Sequence, residues 1–125
     1  MPFPPGKDTQ ASGAQAEALA LCFLERQGLR LIERNFRARR GELDLVMEQG
    51  RELVFVEVRF RKNHRFGGPL ESVTAIKQQR VALAAAEFLG RRREWRDRPC
   101  RFDVVAICGD APGELEWIRD AFRLS

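Results

Sequence analysis

Residues 42–47 and 52–61 are two runs rich in Leu, Val and Phe, separated only by Glu48-Gln49-Gly50-Arg51, a polar link with a turn glycine. Apolar runs this close in sequence pair as an antiparallel hairpin. Centring the hairpin on Gln49 and Gly50 sets Asp44 opposite Phe55 and Glu42 opposite Glu57. The two-residue period of a strand then gathers Glu42, Asp44, Glu57 and Arg59 on one face. Asp44 and Glu57 become diagonal neighbours, with Cβ atoms roughly 5.5 to 8 Å apart. Val54-Phe55-Val56 is continuous apolar sequence, the pattern of a strand covered on both faces. The hairpin therefore belongs inside a layered fold, and acids at the end of a covered strand cost several kcal/mol unless paired or metal-bound. Two arrangements meet that need. Arg59 can serve as the counter-cation of a simple charged face, or the carboxylates can share a hard divalent cation such as Mg2+, which takes oxygen ligands and few protein carboxylates.

The flanking sequence supplies the layers. Residues 1–12 hold three prolines without periodicity and read as a flexible tail ahead of one domain over 13–125. Ser12 with Gln15 forms a capping box for a first helix that ends at Gly28, with Ala16, Leu19, Ala20, Phe23 and Leu24 on its apolar face and Glu17 at the edge of that face. Residues 29–36 read as a strand. A second helix starts near Ser72 or Thr74 and runs to about Leu89. Lys77 falls within its apolar arc of Ile76, Val81, Ala84 and Phe88, either directed into a site or with its stem along the apolar surface and its ammonium in water. Residues 101–107 form a strand with Val104 and Ile107 buried, 109–113 a turn, and 114–118 an edge strand. The order gives an α/β single domain.

The net charge is +4 and the isoelectric point about 9.5, with only Lys7, Lys62 and Lys77 as lysines. Arginine's planar fork suits bidentate phosphate contacts, so nucleic acid is the expected partner. Arg26, Arg30, Arg34, Arg37, Arg39 and Arg40 precede the acidic hairpin, and Arg91, Arg92, Arg93, Arg96 and Arg98 follow the second helix. Two such tracts can grip a phosphate backbone around the carboxylates, or can be two solvated connections with no common face. The loop at 61–70 adds Arg61 and Arg65 to the expected nucleic-acid contacts and holds His64, read as an incidental surface residue. Cys22, Cys100 and Cys108 show no paired spacing and read as reduced thiols, Cys22 and Cys108 filling core. Trp95 and Trp117 are expected to pack rather than stack on bases. Reduced thiols fit a cytoplasmic protein, and no apolar run nears the roughly 20 residues of a membrane span, so a soluble protein away from membranes is expected.

Gly41-Glu42-Leu43-Asp44-Leu45-Val46, Leu53-Val54-Phe55-Val56-Glu57-Val58-Arg59 and Arg101-Phe102-Asp103-Val104-Val105 resemble the YraN family of small bacterial proteins. That family is in turn similar to the PD-(D/E)xK nucleases, particularly archaeal Holliday-junction resolvases. The resemblance implies a restriction-endonuclease-like αβββαβ core, a mixed sheet flanked by helices. It implies Mg2+ or Mn2+ held by Asp44, Glu57 and the Val58 carbonyl, with Glu17 as an assisting helix-borne acid. Arg59 stands where the superfamily has its catalytic lysine. A guanidinium stays protonated and can only position phosphate or stabilise charge, so Lys77 is a candidate substitute. On the superfamily pattern Asp103 supports the site from behind or anchors a neighbouring backbone, and the resolvases imply a homodimer, one site for each of two strands.

The leading expectation is a Mg2+-dependent endonuclease-like protein acting on branched or damaged DNA. The alternative, prompted by Arg59, is a nucleic-acid-binding protein on a degenerate nuclease fold. A third reading is a protein-interaction module built on the hairpin, for which acids in the hairpin would matter little.

Overall fold

The computed structural model describes residues 9–61, 73–108 and 115–123. Helix α1 (Thr9–Arg26) is followed by β1 (Arg30–Arg37), β2 (Glu42–Gln49), β3 (Glu52–Arg61), helix α2 (Ala75–Arg91), a 3-10 turn at Arg93–Trp95, β4 (Cys100–Cys108) and β5 (Leu115–Phe122). The five strands form one mixed sheet in the order β1-β2-β3-β4-β5. Among the described residues only β3 and β4 run parallel. A parallel pair needs a crossover connection, and α2 lies in it. The chain is thus an α/β single domain, as its patterning indicates.

β3 is the central strand. Its Leu53 and Phe55 pack with Val81, Ala84, Ala85 and Phe88 of α2, whereas Val54 and Val56 pack with Ala16, Ala20 and Leu24 of α1. Each helix covers one face, which is why the run Val54-Phe55-Val56 does not alternate. Phe55 and Phe88 meet edge to face at 6.0 Å. Burying each such ring contributes roughly 1.5–3 kcal/mol.

Local chemistry sets the helix ends. Gly28 takes φ +96°, its N–H donates to the Glu25 carbonyl and the Leu29 N–H to the Leu24 carbonyl, both at 3.1 Å, closing α1 in a Schellman motif with Leu24 and Leu29 in one apolar cluster. At the other end α1 begins at Thr9 rather than at Ser12. Gln10 and Ala11 are good helix formers, and no proline after Pro5 interrupts them. Thr74 caps α2, its side chain accepting from the Lys77 N–H at 3.3 Å. Ile76, expected on the apolar arc, is 63% exposed. At 3.6 residues per turn it lies about 130° from the centre of the buried arc, whereas Lys77 lies about 30° from it.

Cys22 is exposed, against the expectation of a core filler, because it sits two residues from both Ala20 and Leu24 and so on the outer side of α1. Cys108 is buried as expected. Trp95 packs on the α2-side cluster and Trp117 on Phe23 at 5.8 Å, both in packing roles. The expected loop at 61–70 and turn at 109–113, with His64, Arg65 and the Arg61 side chain, lie outside the described residues.

The loop between β1 and β2 touches α2 directly. A Cβ added to Gly41 would stand 2.6 Å from the Arg80 carbonyl oxygen and 3.1 Å from its carbon. Both are helix backbone, so neither can yield cheaply. Gly41→Ala is expected to destabilise the fold by about 1–3 kcal/mol, read as a lower urea midpoint at unchanged slope.

Candidate functional site

The hairpin pairs Gln49 with Glu52, Met47 with Val54 and Leu45 with Val56. Its two-residue turn is therefore Gly50-Arg51, not Gln49-Gly50, with Gly50 at φ +60° in the first turn position that type II′ hairpins reserve for glycine. Continued outward, this register sets Asp44 directly opposite Glu57, not Phe55, and Glu42 opposite Arg59, not Glu57. The shift moves each partner by two residues, so the four charged residues keep their common face. All four line one cleft.

The β2–β3 ladder ends at Leu45 and Val56. Beyond it the Val58 N–H donates to Asp44 Oδ2 at 2.8 Å, so a side chain takes the place of a ladder carbonyl. A strand residue directs its N–H and C=O toward the same neighbour, so the Val58 carbonyl faces the same gap. Burial, foremost, and then the charge of Glu57 push the Asp44 carboxyl up to about 8. The Val58 amide opposes the rise, while Glu17 and a proton shared with Glu57 add to it.

Two neighbouring carboxylates have cations: Arg59 meets Glu57 at 3.3 Å and Arg34 meets Glu17 at 3.3 Å. Among the described residues no cationic side chain pairs with Asp44. A part-buried carboxylate without a counter-cation, facing a second carboxylate and a backbone carbonyl, is an oxygen donor set suited to a hard divalent ion. Among the described residues no three His, Cys, Asp or Glu side chains gather closely enough to enclose a metal by themselves. The fit therefore rests on the pair and the carbonyl, with Glu17 outside the cleft and acting on Asp44 through its charge alone.

The cleft measures about 650 Å³. Asp44, Glu57, Val58 and Arg59 come from the hairpin, Arg39, Arg40 and Gly41 from the β1–β2 loop, and Lys77, Arg80 and Val81 from α2. Lys77, half-buried, thus shares the cleft with Asp44 and Glu57.

Much of the remaining arginine is committed. Arg91 pairs with Glu87 and lies over the Phe36 ring, Arg92 pairs with Glu33 over the Phe88 ring, and Arg98 binds Glu48 at 2.7 Å over Trp95. Arg30 also pairs with Glu48. Arg37 and Arg93 are exposed and lie outside the cleft. Arg80 was not evident in the sequence as a site residue. It stands one helical turn after Lys77 on α2, the i+3 spacing that puts both on neighbouring positions of one face, and Gly41 packs on its backbone.

Asp103 lies away from the cleft and is fully buried. It accepts from Arg101 Nε at 3.0 Å, Trp117 Nε1 at 3.0 Å and the Asp120 N–H at 2.9 Å. It anchors a neighbouring backbone, one of the two roles expected for it. Asp120 is at φ +52°, where the β4–β5 register shifts.

A family model described as "Uncharacterised protein family UPF0102" matches residues 16–107, a span that contains every cleft residue. The chain belongs to the UPF0102 family. This is the YraN family that its motifs resemble. The UPF0102 protein of Stutzerimonas stutzeri is 55% identical over 119 residues, covering 93% of this chain and 98% of its own. That of Pseudomonas syringae pv. syringae is 53% identical over 116 residues, covering 90% and 94%, and that of Pseudomonas aeruginosa is 49% identical over 119 residues, covering 93% and 95%. These UPF0102 relatives match nearly end to end. Among the described residues no helix is long and apolar enough to cross a membrane.

Proposed function

We propose that this UPF0102 protein is a divalent-metal-dependent endonuclease-like protein with a restriction-endonuclease-like core, hydrolysing phosphodiesters of branched or damaged DNA. The observation that carries the reading is Asp44 beside Glu57 at the point where β2 and β3 part, without a counter-cation, in a cleft walled by arginine and lysine. Asp44, Glu57 and the Val58 carbonyl would hold Mg2+ or Mn2+. Such an ion, when bound, supplies Lewis-acid polarisation of a phosphoryl oxygen and a lower pKa for attacking water. The protein's own groups do the rest. Asp44 stays fixed by the Val58 amide, and Glu17 keeps the local potential negative. Lys77 and Arg59 stand where charge develops on the phosphoryl oxygens, and their cations stabilise it in a cleft partly shielded from water. Of the two only lysine can also change protonation.

Arg59 favours a second reading, a nucleic-acid-binding protein that no longer cleaves. One experiment separates them. Mg2+ and Mn2+ are titrated calorimetrically into the wild type and Asp44→Asn, alongside cleavage assays on labelled branched and linear DNA. The enzyme reading expects metal uptake and cleavage that Asp44→Asn and Lys77→Ala each reduce by 100-fold or more, roughly 2.7 kcal/mol or above. DNA binding with neither metal uptake nor cleavage supports the second reading and overturns the first.

A further inference from the structure

We propose that the wall formed by the β1–β2 loop and α2 is the phosphate-backbone contact of a bound DNA, with Arg40 and Arg80 as its contact residues. The inference rests on the nucleic-acid reading above and decides which of two similar arginine tracts does the binding.

The wall is preformed. The Ala38 N–H donates to the Gly41 carbonyl at 2.9 Å, closing the loop. The Arg39 N–H donates to Glu87 Oε1 at 3.0 Å, and Gly41 lies against the Arg80 carbonyl, so the loop is fastened to α2 at two points. Arg40 and Arg80, both exposed, are thereby held on one side of the cleft facing Asp44 and Glu57. Preformed donors lose less freedom on binding than donors on a loose loop.

The wall is also uncommitted. Among the described residues no carboxylate pairs with Arg40 or Arg80, so their guanidinium forks are available for bidentate phosphate contacts. In the later tract Arg91, Arg92 and Arg98 each hold a carboxylate already, and Arg93 and Arg96, which pair with none among the described residues, lie outside the cleft. A phosphate recruiting one of the first three competes with Glu87, Glu33 or Glu48 for the same guanidinium. Net countercharge released on binding, and with it the salt dependence, comes from uncommitted cations.

The test uses the full chain and a fluorescein-labelled DNA duplex, with binding followed by anisotropy across a KCl series in EDTA so that cleavage does not intervene. The wild type is expected to bind with a log K that falls linearly with log salt. Arg40→Gln/Arg80→Gln should flatten that slope by about 1–2 and weaken binding at least tenfold at low salt. Arg91→Gln/Arg92→Gln should leave the slope unchanged, though it removes two ion pairs and lowers the melting temperature. Equal flattening in both double variants, or none in the first, overturns the proposal while leaving DNA binding standing. A wild-type chain that does not bind the duplex at low salt overturns the proposal and the nucleic-acid reading together. Matching near-ultraviolet circular dichroism of variants and wild type excludes misfolding as the cause of a flattened slope.

Discussion

Asp44→Asn is expected to be more stable than the wild-type chain at pH 8 and no more stable at pH 4. The folded-state pKa of Asp44 is raised from the ordinary 3.8 to about 8, by burial and then by Glu57. Between those values the folded chain keeps a proton that the unfolded chain has released. The stability contributed by this group is therefore complete below pH 3.8 and is lost as the pH rises through 8. Asparagine preserves the shape, donates to Glu57 as the protonated acid does, and never charges. The gap between variant and wild type should open across that window and reach roughly 3–5 kcal/mol at pH 8. Mg2+ at pH 8 should close it by binding only the wild type, with a gain that grows with the ratio of free ion to Kd. Urea unfolding of both chains at pH 4, 6 and 8, in EDTA and in Mg2+, measures each part. A variant less stable than wild type at pH 8 in EDTA would refute the assignment of Asp44 as a charge held at a cost to the fold.

The second large effect lies far from the cleft. Asp103→Ala should destabilise the fold by about 3–5 kcal/mol, because Arg101 loses the buried one of its two carboxylate partners and the Trp117 Nε1–H loses its acceptor. Arg101 is 6% exposed and would keep only Glu52 at 2.6 Å and Gln49 at 2.7 Å, and the Asp120 N–H would lose its acceptor. For a domain whose whole stability is about 5–15 kcal/mol, that is roughly a fifth or more of it. The loss should begin in β5, seen as faster hydrogen exchange at Trp117 and Ile118 than in β3. Urea unfolding that shows less than about 1 kcal/mol of loss would mean that the Asp103 network is dispensable. Mn2+ affinity, measured where the variant is still folded, should not move.

The fold was legible because the signals that specify it are periodic or local. Val54-Phe55-Val56 announced a covered strand, Gly28 a helix end and Thr74 a helix start. The carboxylate pair was legible for the same reason: strand alternation fixes a face whichever residues form the turn. Its register was not, since Gln49-Gly50 and Gly50-Arg51 both offer a glycine, and the choice depends on which turn position needs positive φ. The fate of the arginines was hidden more deeply. Whether Arg92 is free or neutralised depends on Glu33, two strands and a helix away, and no spacing rule connects them. Arg80 was legible in principle, one helical turn after Lys77, but the packing of Gly41 against its backbone leaves no local trace. Cys22 misled because composition says that cysteine is often buried, while helical phase decides whether it is.

The two halves of the cleft differ in how early a folding chain can make them. Asp44 and Val58 belong to one hairpin, so the carboxylates meet within a contact of short sequence separation that forms on the microsecond scale. The cationic wall needs Gly41 to find α2 across the intervening chain, a closure of much higher contact order. Repulsion between Asp44 and Glu57 is thus met before the wall exists to offset it. The hairpin must be held together at that stage by the apolar pairs at its closed end, Met47 with Val54 and Val46 with Phe55.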